Sequence, residues 1–405
     1  MIPKRFQEAE HNNISHLAAR TGAITISRLT LNTARRFVYP FAPAISRGLG
    51  VPLASVTTLI ALNQITGILG MLSGPIADRF GYRRMMLAGL AMLAAGLLVG
   101  WVFASFLAVG IAVFMAGLGK AIFDPAVQAW VGERIPYRRR GMVIGILELS
   151  WAGSSLLGIP LVGYLMEKHG WTSPFLALSI LGAAACLALA LLIPGKKRST
   201  GATSRGSGFG QSMAAIFRSR IAAGAVLYAF FISFSNDCLF VVYGAWLEDS
   251  FQLNLLAIGF GTTIIGVAEL LGELTIASAG DRVGLKRSVV IGSVLTMAGF
   301  SLLPLLGANL WMCYGGLFLI FFSFELAIVA MLSLCTELVP SARATMMSSF
   351  LAAAGLGRVG GALAGGFVWP MAGMGGIGLI TTLGCMAAIT AILWGLHGWE
   401  RGARK

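Results

Sequence analysis

Six acidic side chains stand inside long apolar runs of this sequence, where an ionisable group needs a chemical reason to be present. They are Asp124, Glu148, Asp237, Glu269, Glu273 and Glu325. The basic residues in comparable surroundings are Arg35, Arg36, Lys120 and Arg358. A charge near the centre of a bilayer costs at least about 2.5 kcal/mol on insertion scales, so each group needs a partner, water or a proton. Because the acids outnumber these bases, some carboxyl groups are predicted to bind protons, water or a ligand.

Two pairs of these groups are four residues apart, the spacing that places side chains on one face of a helix. Lys120 and Asp124 have opposite signs, and a local structural ion pair is predicted for them. Glu269 and Glu273 have the same sign, so one of them must bind a proton or find a cation on another helix. Both are therefore candidate proton carriers.

Three further groups lie well inside apolar runs without such a neighbour. They are Glu148, Glu325 and Arg358. Two interpretations stay open for them: they line a transport pathway, or they form a buried structural pair.

The composition shows which elements must position these groups. The 405 residues are 57% hydrophobic and 11% charged, with a mean hydropathy of +0.82. Such a chain is a membrane protein, and its continuous apolar runs indicate helices rather than the alternating pattern of a β-barrel. Hydropathy predicts twelve spans, at about 24–47, 54–76, 85–104, 106–131, 142–166, 172–194, 221–246, 253–279, 288–306, 310–336, 345–370 and 374–397.

Basic residues are distributed unequally between the two sets of alternating connections. Of the 30 Lys and Arg residues, 23 belong to the set that includes both termini and the central segment, whereas the other set contains Arg47 and Lys168. The positive-inside rule therefore predicts cytoplasmic termini in a plasma or inner membrane. The net charge of +14 is explained by topology, and nucleic acid is not an expected partner.

The reactive residue types are poorly placed for catalysis. All five cysteines fall inside predicted spans, which gives no indication of a disulfide framework, a metal site or a thiol catalyst. The four histidines lie in the N-terminal tail, at His169 in a connection and at His397 at a membrane edge. No phosphate-binding Gly-x-x-x-x-Gly-Lys-Ser/Thr run is present, so neither an enzyme nor an ATP-driven pump is predicted, and no cofactor is expected.

Two motifs recur at nearly one offset, which indicates a duplicated six-helix unit. At an offset of 203 the first motif pairs Asp78-Arg79-x-Gly81-x-Arg83-Arg84 with Asp281-Arg282-x-Gly284-x-Lys286-Arg287. At an offset of 204 the second pairs Glu133-x-x-Pro136-x-x-Arg139 with Glu337-x-x-Pro340-x-x-Arg343. The predicted organisation is a cytoplasmic tail at 1–23, six-helix bundles at 24–194 and 221–397, a Gly/Ser-rich basic linker at 195–220 and a tail at 398–405.

The first motif, preceded by Gly74 and placed between the second and third spans, resembles the signature of the Major Facilitator Superfamily. The resemblance covers about residues 24 to 397. It implies an all-α fold of twelve transmembrane helices in two pseudo-symmetric bundles around a cavity that opens alternately to each side. It also implies that Asp78 and Asp281 brace a cytoplasmic gate by bonding to neighbouring basic groups. Glu133 and Glu337, each at the cytoplasmic end of a span, offer further carboxylates to the motif arginines, so a breakable latch is predicted. The alternative is that the whole set is a topology signal with two tight turns at Gly81 and Gly284.

The repeat places Asp237 of the seventh span opposite Ala34 of the first, next to Arg35. The resemblance implies that these spans line the central cavity. We therefore expect Arg35 or Arg36 to meet Asp237, either as a substrate or proton site or as a static pair. The hydrogen-bonding groups expected nearby are Asn32, Tyr39, Asn236 and Tyr243.

The sequence departs from the drug exporters of this family at two places. Val113 occupies the position of an arginine in the fourth span, and the antiporter motif of the fifth span is reduced to Pro160 and Gly163. A proton-coupled exporter of small organic or amphipathic molecules, working as a monomer, remains the first hypothesis. An importer or facilitator and a receptor without transport are the alternatives, and the mixed charges favour a cationic or zwitterionic substrate slightly.

Overall fold

The computed structural model describes residues 4–69, 80–135, 137–193, 219–339 and 343–398. Within these ranges the side chains of 4–17, 68–69, 137–142, 281 and 343–345 are not described. The described chain is helical and contains no strand. The helices are α1 (Lys4–Arg36), α2 (Ala42–Leu49), α3 (Leu53–Leu69), α4 (Tyr82–Phe103), α5 (Phe106–Arg134), α6 (Tyr137–Gly153), α7 (Ile159–His169), α8 (Ser173–Leu192), α9 (Arg220–Phe240), α10 (Tyr243–Phe251), α11 (Leu255–Val283), α12 (Leu285–Leu306), α13 (Leu310–Leu338) and α14 (Arg343–Gly395).

Nine helical stretches of the described ranges are long and apolar enough to cross a membrane, and the bent pair α2 and α3 adds a tenth. The helix α14 has 53 residues and is interrupted at Gly373, whose φ of 54° and ψ of −150° are not helical. A helix of this length is about 80 Å long, which is enough for two crossings of a bilayer core of about 30 Å. With α14 as two crossings, the helices follow the order of the predicted spans.

Three of the predicted spans contain a local irregularity, although the fifth and the seventh still form single helical stretches long enough to cross a membrane, Val143–His169 and Arg220–Phe251. The first span contains the non-helical segment Phe37–Phe41 between α1 and α2. The fifth contains a π-helical turn, Ser154–Gly158, between α6 and α7. The seventh contains a turn at Val241 and Val242, between α9 and α10, where the backbone angles stay close to helical values. Hydropathy does not reveal these features, since it is averaged over a window as long as a whole span.

Polar side chains cap the N-termini of several helices. The side chains of Ser105, Ser219, Asn254 and Asn309 each accept a hydrogen bond from a backbone N–H in the first turn of the helix that follows. These bonds satisfy donors that a helix cannot satisfy internally. The start of α5, α9, α11 and α13 is thus set by local sequence.

Small residues allow helices to pack closely inside each half. On α14, Gly357, Gly361 and Gly365 face the backbone of α9, and a Cβ added at Gly365 would lie 2.5 Å from the carbonyl oxygen of Cys238. In the other half, Gly89 of α4 and Gly119 of α5 face each other. In lipid, association of helices depends on such close packing, because hydrocarbon provides no hydrophobic driving force between them. Large apolar side chains instead face outward, as at Leu107 and Leu191.

We call α1–α8 the N-terminal half and α9–α14 the C-terminal half. The proximal end of the bundle carries the start of α9 and the end of α14, which meet where Arg220 donates to the carbonyl oxygen of His397. The distal end carries the connections at Gly50–Pro52, Gly170–Thr172 and Gln252–Asn254. The predicted linker 195–220 lies outside the described residues except at its last two positions.

Candidate functional site

A buried ion pair joins the two halves near the middle of the bundle. Arg36, the last residue of α1, donates from Nη2 to both carboxylate oxygens of Glu269 on α11, at 2.8 and 3.0 Å. The two side chains are 4% and 8% exposed. The guanidinium also lies 4.4 Å from the ring centre of Trp151 and 5.6 Å from that of Phe240, so its charge is stabilised by two aromatic faces as well.

This pairing corrects the expectation that Arg35 or Arg36 meets Asp237 directly. Successive residues on a helix point about 100° apart, so the two arginines contact different neighbours. Arg35 donates from Nε to Oδ1 of Asn63, at 3.0 Å, and from Nη2 to Oε1 of Gln64. Both partners are neutral amides of α3.

Asp237 on α9 is the centre of a second cluster, which includes groups from both halves. Its Oδ1 accepts from the hydroxyl of Tyr39, at 3.3 Å, and from the amide of Gln64, at 3.4 Å. The same amide donates to the Tyr39 hydroxyl. On the other side, Nε of Arg358 lies 3.8 Å from Oδ2. Asp237 therefore meets Arg35 only through the intervening Gln64 amide.

A third charged cluster lies wholly within the N-terminal half. Nζ of Lys120 pairs with Asp124 at 2.5 Å, which confirms the local pair predicted from their spacing. Arg28 of α1 adds to it, at 3.1 Å from Asp124 and 2.9 Å from Glu148. Four charges that sum to zero thus connect α1, α5 and α6, and Glu148 belongs to an ion pair.

Three carboxyl groups of the C-terminal half lie near one another. Glu325 on α13 packs beside Gly272, where a Cβ would be 2.8 Å from its own Cβ, and Gly272 lies between Glu269 and Glu273 on α11. Both of these glutamates act electrostatically on Glu325. Among the described residues Glu325 has no hydrogen bond and no ion pair. Glu269, in contrast, forms an ion pair with Arg36.

A cavity of about 540 Å³ leads from this carboxyl cluster toward the proximal end. Its walls are residues of α11 and α13 with Leu285 of α12, and Glu273 and Glu337 both line it. The cavity exposes Glu273 to water, whereas Glu269 is buried. Solvent can thus approach the cluster from one end of the molecule.

The remaining predicted pathway residues occupy related places in the two halves. At the repeat offset of 204, Asn32 corresponds to Asn236 and Tyr39 to Tyr243. The amide of Asn32 donates to Ser150, at 3.2 Å, and the Tyr243 hydroxyl bonds to Thr262, at 3.0 Å. Neither asparagine has a partner for its buried Oδ1 within the described ranges.

The halves also meet at the distal end. A Cβ at Gly244 would lie within 2.8 Å of backbone carbons of Pro40, the residue that corresponds to it in the repeat. Arg47 pairs with Glu248 at 2.7 Å, and the backbone N–H of Leu255 donates to Glu167 at 3.2 Å. These contacts cross between the halves and hold them together at this end.

Much of the predicted cytoplasmic gate lies outside the described residues. Gly74, Asp78 and Arg79 belong to the 70–79 gap, and the side chains of Arg139, Asp281 and Arg343 are not described. A latch between these groups therefore stays a prediction.

The described gate residues lie at the proximal end. Gly81 and Gly284 have φ of 90° and 89°, a conformation that favours glycine, as the tight turns require. Arg83 donates to the carbonyl oxygen of Ala190 and Lys286 to that of Leu396. The side chains of Arg84, Arg282 and Arg287 are exposed. Glu133 lies beside Arg134, at 3.9 Å.

Sequence reasoning missed several residues that the structure places in these clusters. Asn63 and Gln64 are adjacent amides within an apolar span, and that pattern could have identified them. Arg28 lies seven residues before Arg35 on the same helix and could have been counted among the buried bases. Trp151 gave no such signal, because a tryptophan in an apolar span is ordinary.

Comparison with known proteins agrees with this architecture. The family model described as Major Facilitator Superfamily matches residues 24–234 and matches again over 225–403, so each half is recognised separately. The chain belongs to this superfamily. It is a multi-pass membrane protein and a secondary transporter rather than an enzyme.

Two relatives within the superfamily cover most of the chain at low identity, and a third matches less than half of it. The uncharacterized MFS-type transporter YceJ of Bacillus subtilis is 26% identical over 306 residues, 75% of this chain and 76% of the relative. YwfA of the same organism is 22% identical over 378 residues, 91% of each chain. The multidrug resistance protein MdtH of Aeromonas hydrophila is 30% identical over 169 residues, 41% of this chain and 42% of MdtH.

Solved transporters share the fold. A POT family transporter in complex with a thioalcohol-conjugated peptide superimposes with a TM-score of 0.77 over 92% of this chain and 95% of its own. A bacterial homologue of the lysosomal transporter Spinster, in an inward-facing and unoccupied conformation, gives 0.72 over 94% and 95%. Both are 14% identical to this chain, so they show its fold alone.

Proposed function

We propose that this transporter exports small organic or amphipathic molecules in exchange for protons, by alternating access of a site between its two halves. It would act in the cell membrane, with both termini on the cytoplasmic side. The proximal end is then the cytoplasmic end, in keeping with the distribution of basic residues.

The carboxyl cluster of Glu269, Glu273 and Glu325 is the observation that carries the proposal of proton coupling. Three carboxylates lie together in the membrane interior. Of the two arginines that act on Glu325, Arg36 is paired with Glu269 and Arg358 lies beside Asp237. If all were ionised, the cluster would hold an excess of negative charge in a low-dielectric region, which is costly. A proton on Glu325 or Glu273 removes that cost, and the cavity beside Glu273 gives the proton a route to the proximal end.

The position of Glu269 connects this cluster to the movement of the halves. Its ion pair with Arg36 crosses between them, so any motion that separates α1 from α11 breaks the pair. The released carboxylate would then compete for a proton with its neighbours. Proton binding and the opening of the halves are coupled in this way.

Export, rather than import, rests on the likeness to MdtH, which is named a multidrug resistance protein. The aromatic surroundings of the central clusters, including Trp151, Phe240 and Tyr39, are suited to flat organic molecules.

The test uses everted membrane vesicles from a bacterial host that expresses the chain. An acid interior is imposed, and accumulation of two fluorescent dyes is followed, ethidium as a cation and fluorescein as an anion. We expect the gradient to accelerate accumulation of at least one dye and a protonophore to abolish the effect. Vesicles without the chain provide the baseline.

Variants separate coupling from transport. Glu325→Gln should retain dye movement but lose its dependence on the gradient, whereas Asp249→Asn, which alters an exposed carboxyl group, should behave as the wild type. Accumulation driven only by the opposite gradient would indicate an importer, and accumulation independent of the gradient a facilitator. Failure of both dyes to move would contradict the proposal and favour a receptor.

A further inference from the structure

Arg35 keeps part of its guanidinium free at the interface between the halves. Its Nε and one terminal nitrogen donate to Asn63 and Gln64, which are neutral, and the other terminal nitrogen, Nη1, has no hydrogen-bond partner in the described part of the chain. Amide oxygens position the side chain but do not neutralise it. The guanidinium of Arg35 is therefore fixed in position, keeps its positive charge, and has Nη1 available to donate a hydrogen bond.

Arg358 of α14 is in a similar situation on the other side of Asp237. Its Nε lies 3.8 Å from the carboxylate, which is beyond hydrogen-bonding distance, and that is its one ion pair among the described residues. The side chain is 31% exposed, and its two terminal nitrogens make no hydrogen bond within the described ranges. Its fork of donors is thus available to a ligand.

The charges around Asp237 do not balance. Arg35 and Arg358 are close enough to act on each other as like charges, and both act on the single carboxylate of Asp237. Arg36 also acts electrostatically on Asp237, but the charge of Arg36 is balanced by its ion pair with Glu269. The acids Asp124 and Glu148 of the N-terminal half are paired with Arg28 and Lys120. Arg358 also acts on Glu325. When Glu325 holds the proton of the proposed coupling it is neutral, and one positive charge is then left over in a region where net charge is costly.

We propose that an anionic group of the transported molecule, a carboxylate, sulfonate or phosphate, binds between Arg35 and Arg358. The anion supplies the missing negative charge and accepts from the free donors of both guanidinium groups. Because Arg35 belongs to the N-terminal half and Arg358 to the C-terminal half, the bound anion bridges the halves. This inference rests on the proposed transport function and replaces the expectation of a cationic substrate. Asp124, Glu148 and Glu269 already have basic partners, and Asp237 lies beside Arg358.

Binding of matched probes to purified protein in detergent tests the proposal. Benzoate, benzylammonium and benzyl alcohol share one ring and differ in charge, and the unfolding temperature is measured as each is added at neutral pH. Benzoate should raise it by on the order of 1 °C or more, increasingly with concentration, because a ligand of the folded state stabilises that state. Benzylammonium and benzyl alcohol should not.

Substitutions assign the effect to the site. Arg35→Gln and Arg358→Gln should each abolish stabilisation by benzoate, whereas Arg47→Gln, which removes a partly exposed arginine at the distal end, should retain it. Where Arg35→Gln does not yield folded protein, Arg35→Lys keeps the charge but loses donors and should weaken benzoate binding severalfold.

Three results would overturn the inference: stabilisation by benzylammonium alone, no stabilisation by benzoate, or stabilisation that persists in both glutamine variants. The measurement does not depend on transport. A protein that moves dye under a pH gradient but fails to bind benzoate would contradict the anion site alone. A protein that binds benzoate but moves neither dye would contradict the transport proposal alone.

Discussion

Arg36 and Glu269 face each other across the interface of the two halves, with both carboxylate oxygens within 3.0 Å of one guanidinium nitrogen. The pair is almost fully buried, and Trp151 covers the arginine. A buried pair contributes little net stability compared with apolar residues, but loss of one partner leaves an uncompensated charge.

Arg36→Gln and Glu269→Gln should therefore each destabilise the protein strongly, by about 3–5 kcal/mol. The double variant should recover much of this loss, because no unpaired charge remains. Unfolding in detergent, analysed as a double-mutant cycle, measures the effect. Arg47→Gln, at the partly exposed distal pair, should cost about 1 kcal/mol or less and serves as the control. Additive effects of the two single variants would contradict the prediction.

The stability of the protein should also depend on Asp124, which balances the charges of the cluster in the N-terminal half. Asp124→Asn leaves Arg28 and Lys120 with Glu148 alone, so one positive charge is unpaired. Adding Lys120→Gln restores neutrality and should restore stability, although it removes a further side chain. If the double variant unfolds at a lower temperature than Asp124→Asn, charge balance is not what stabilises this cluster.

The close approach of α14 to α9 should make Gly365 intolerant of a side chain. Gly365→Ala places a methyl group against the backbone of Cys238, and the resulting strain should cost about 1–3 kcal/mol. Gly315→Ala is the matched control, since nothing lies within 4 Å of the added Cβ, and it should be neutral or stabilising through its gain in helix propensity. Thermal unfolding of the two variants checks this. Equal unfolding temperatures would show that the helices adjust freely.

Gly244→Ala should separate the halves at the distal end, because the new methyl group would collide with the backbone of Pro40. Lys168→Cys and Asp249→Cys place nitroxide labels at exposed positions of opposite halves. Pulsed electron paramagnetic resonance then measures the distance between the two labels. The distance distribution should shift to longer values, and Gly315→Ala in the same labelled background should leave it unchanged. A distribution that does not move would mean that the contact is not a determinant of closure.

The sequence could predict features that depend on neighbours along the chain. The local pair of Lys120 and Asp124 follows from their spacing, and the turns at Gly81 and Gly284 follow from a motif that needs glycine. The family and the all-α fold follow from hydropathy and the repeated motif. All of these are local or periodic properties.

Partners from different helices could not be derived in this way. The sequence places Arg35 and Arg36 side by side, but the rotation of α1 about its axis decides that Arg36 meets Glu269 and Arg35 meets amides. Arg28 pairs with Glu148, 120 positions away, and no spacing rule connects them. Such pairs depend on how twelve crossings are arranged, which tertiary packing decides.

The interruptions after Arg36 and after Phe240 fall at matching places in the repeat, just beyond the buried ion pair. Each leaves a short distal segment, eight residues in α2 and nine in α10, and Pro40 meets Gly244 where the two segments begin. The segment Phe37–Phe41 is not helical and can act as a hinge, because it absorbs changes in backbone angle that a helix resists, whereas Val241 and Val242 keep angles close to helical values. The distal end can therefore open asymmetrically, by movement of α2 as a short flap about 12 Å long against α10, which continues from α9.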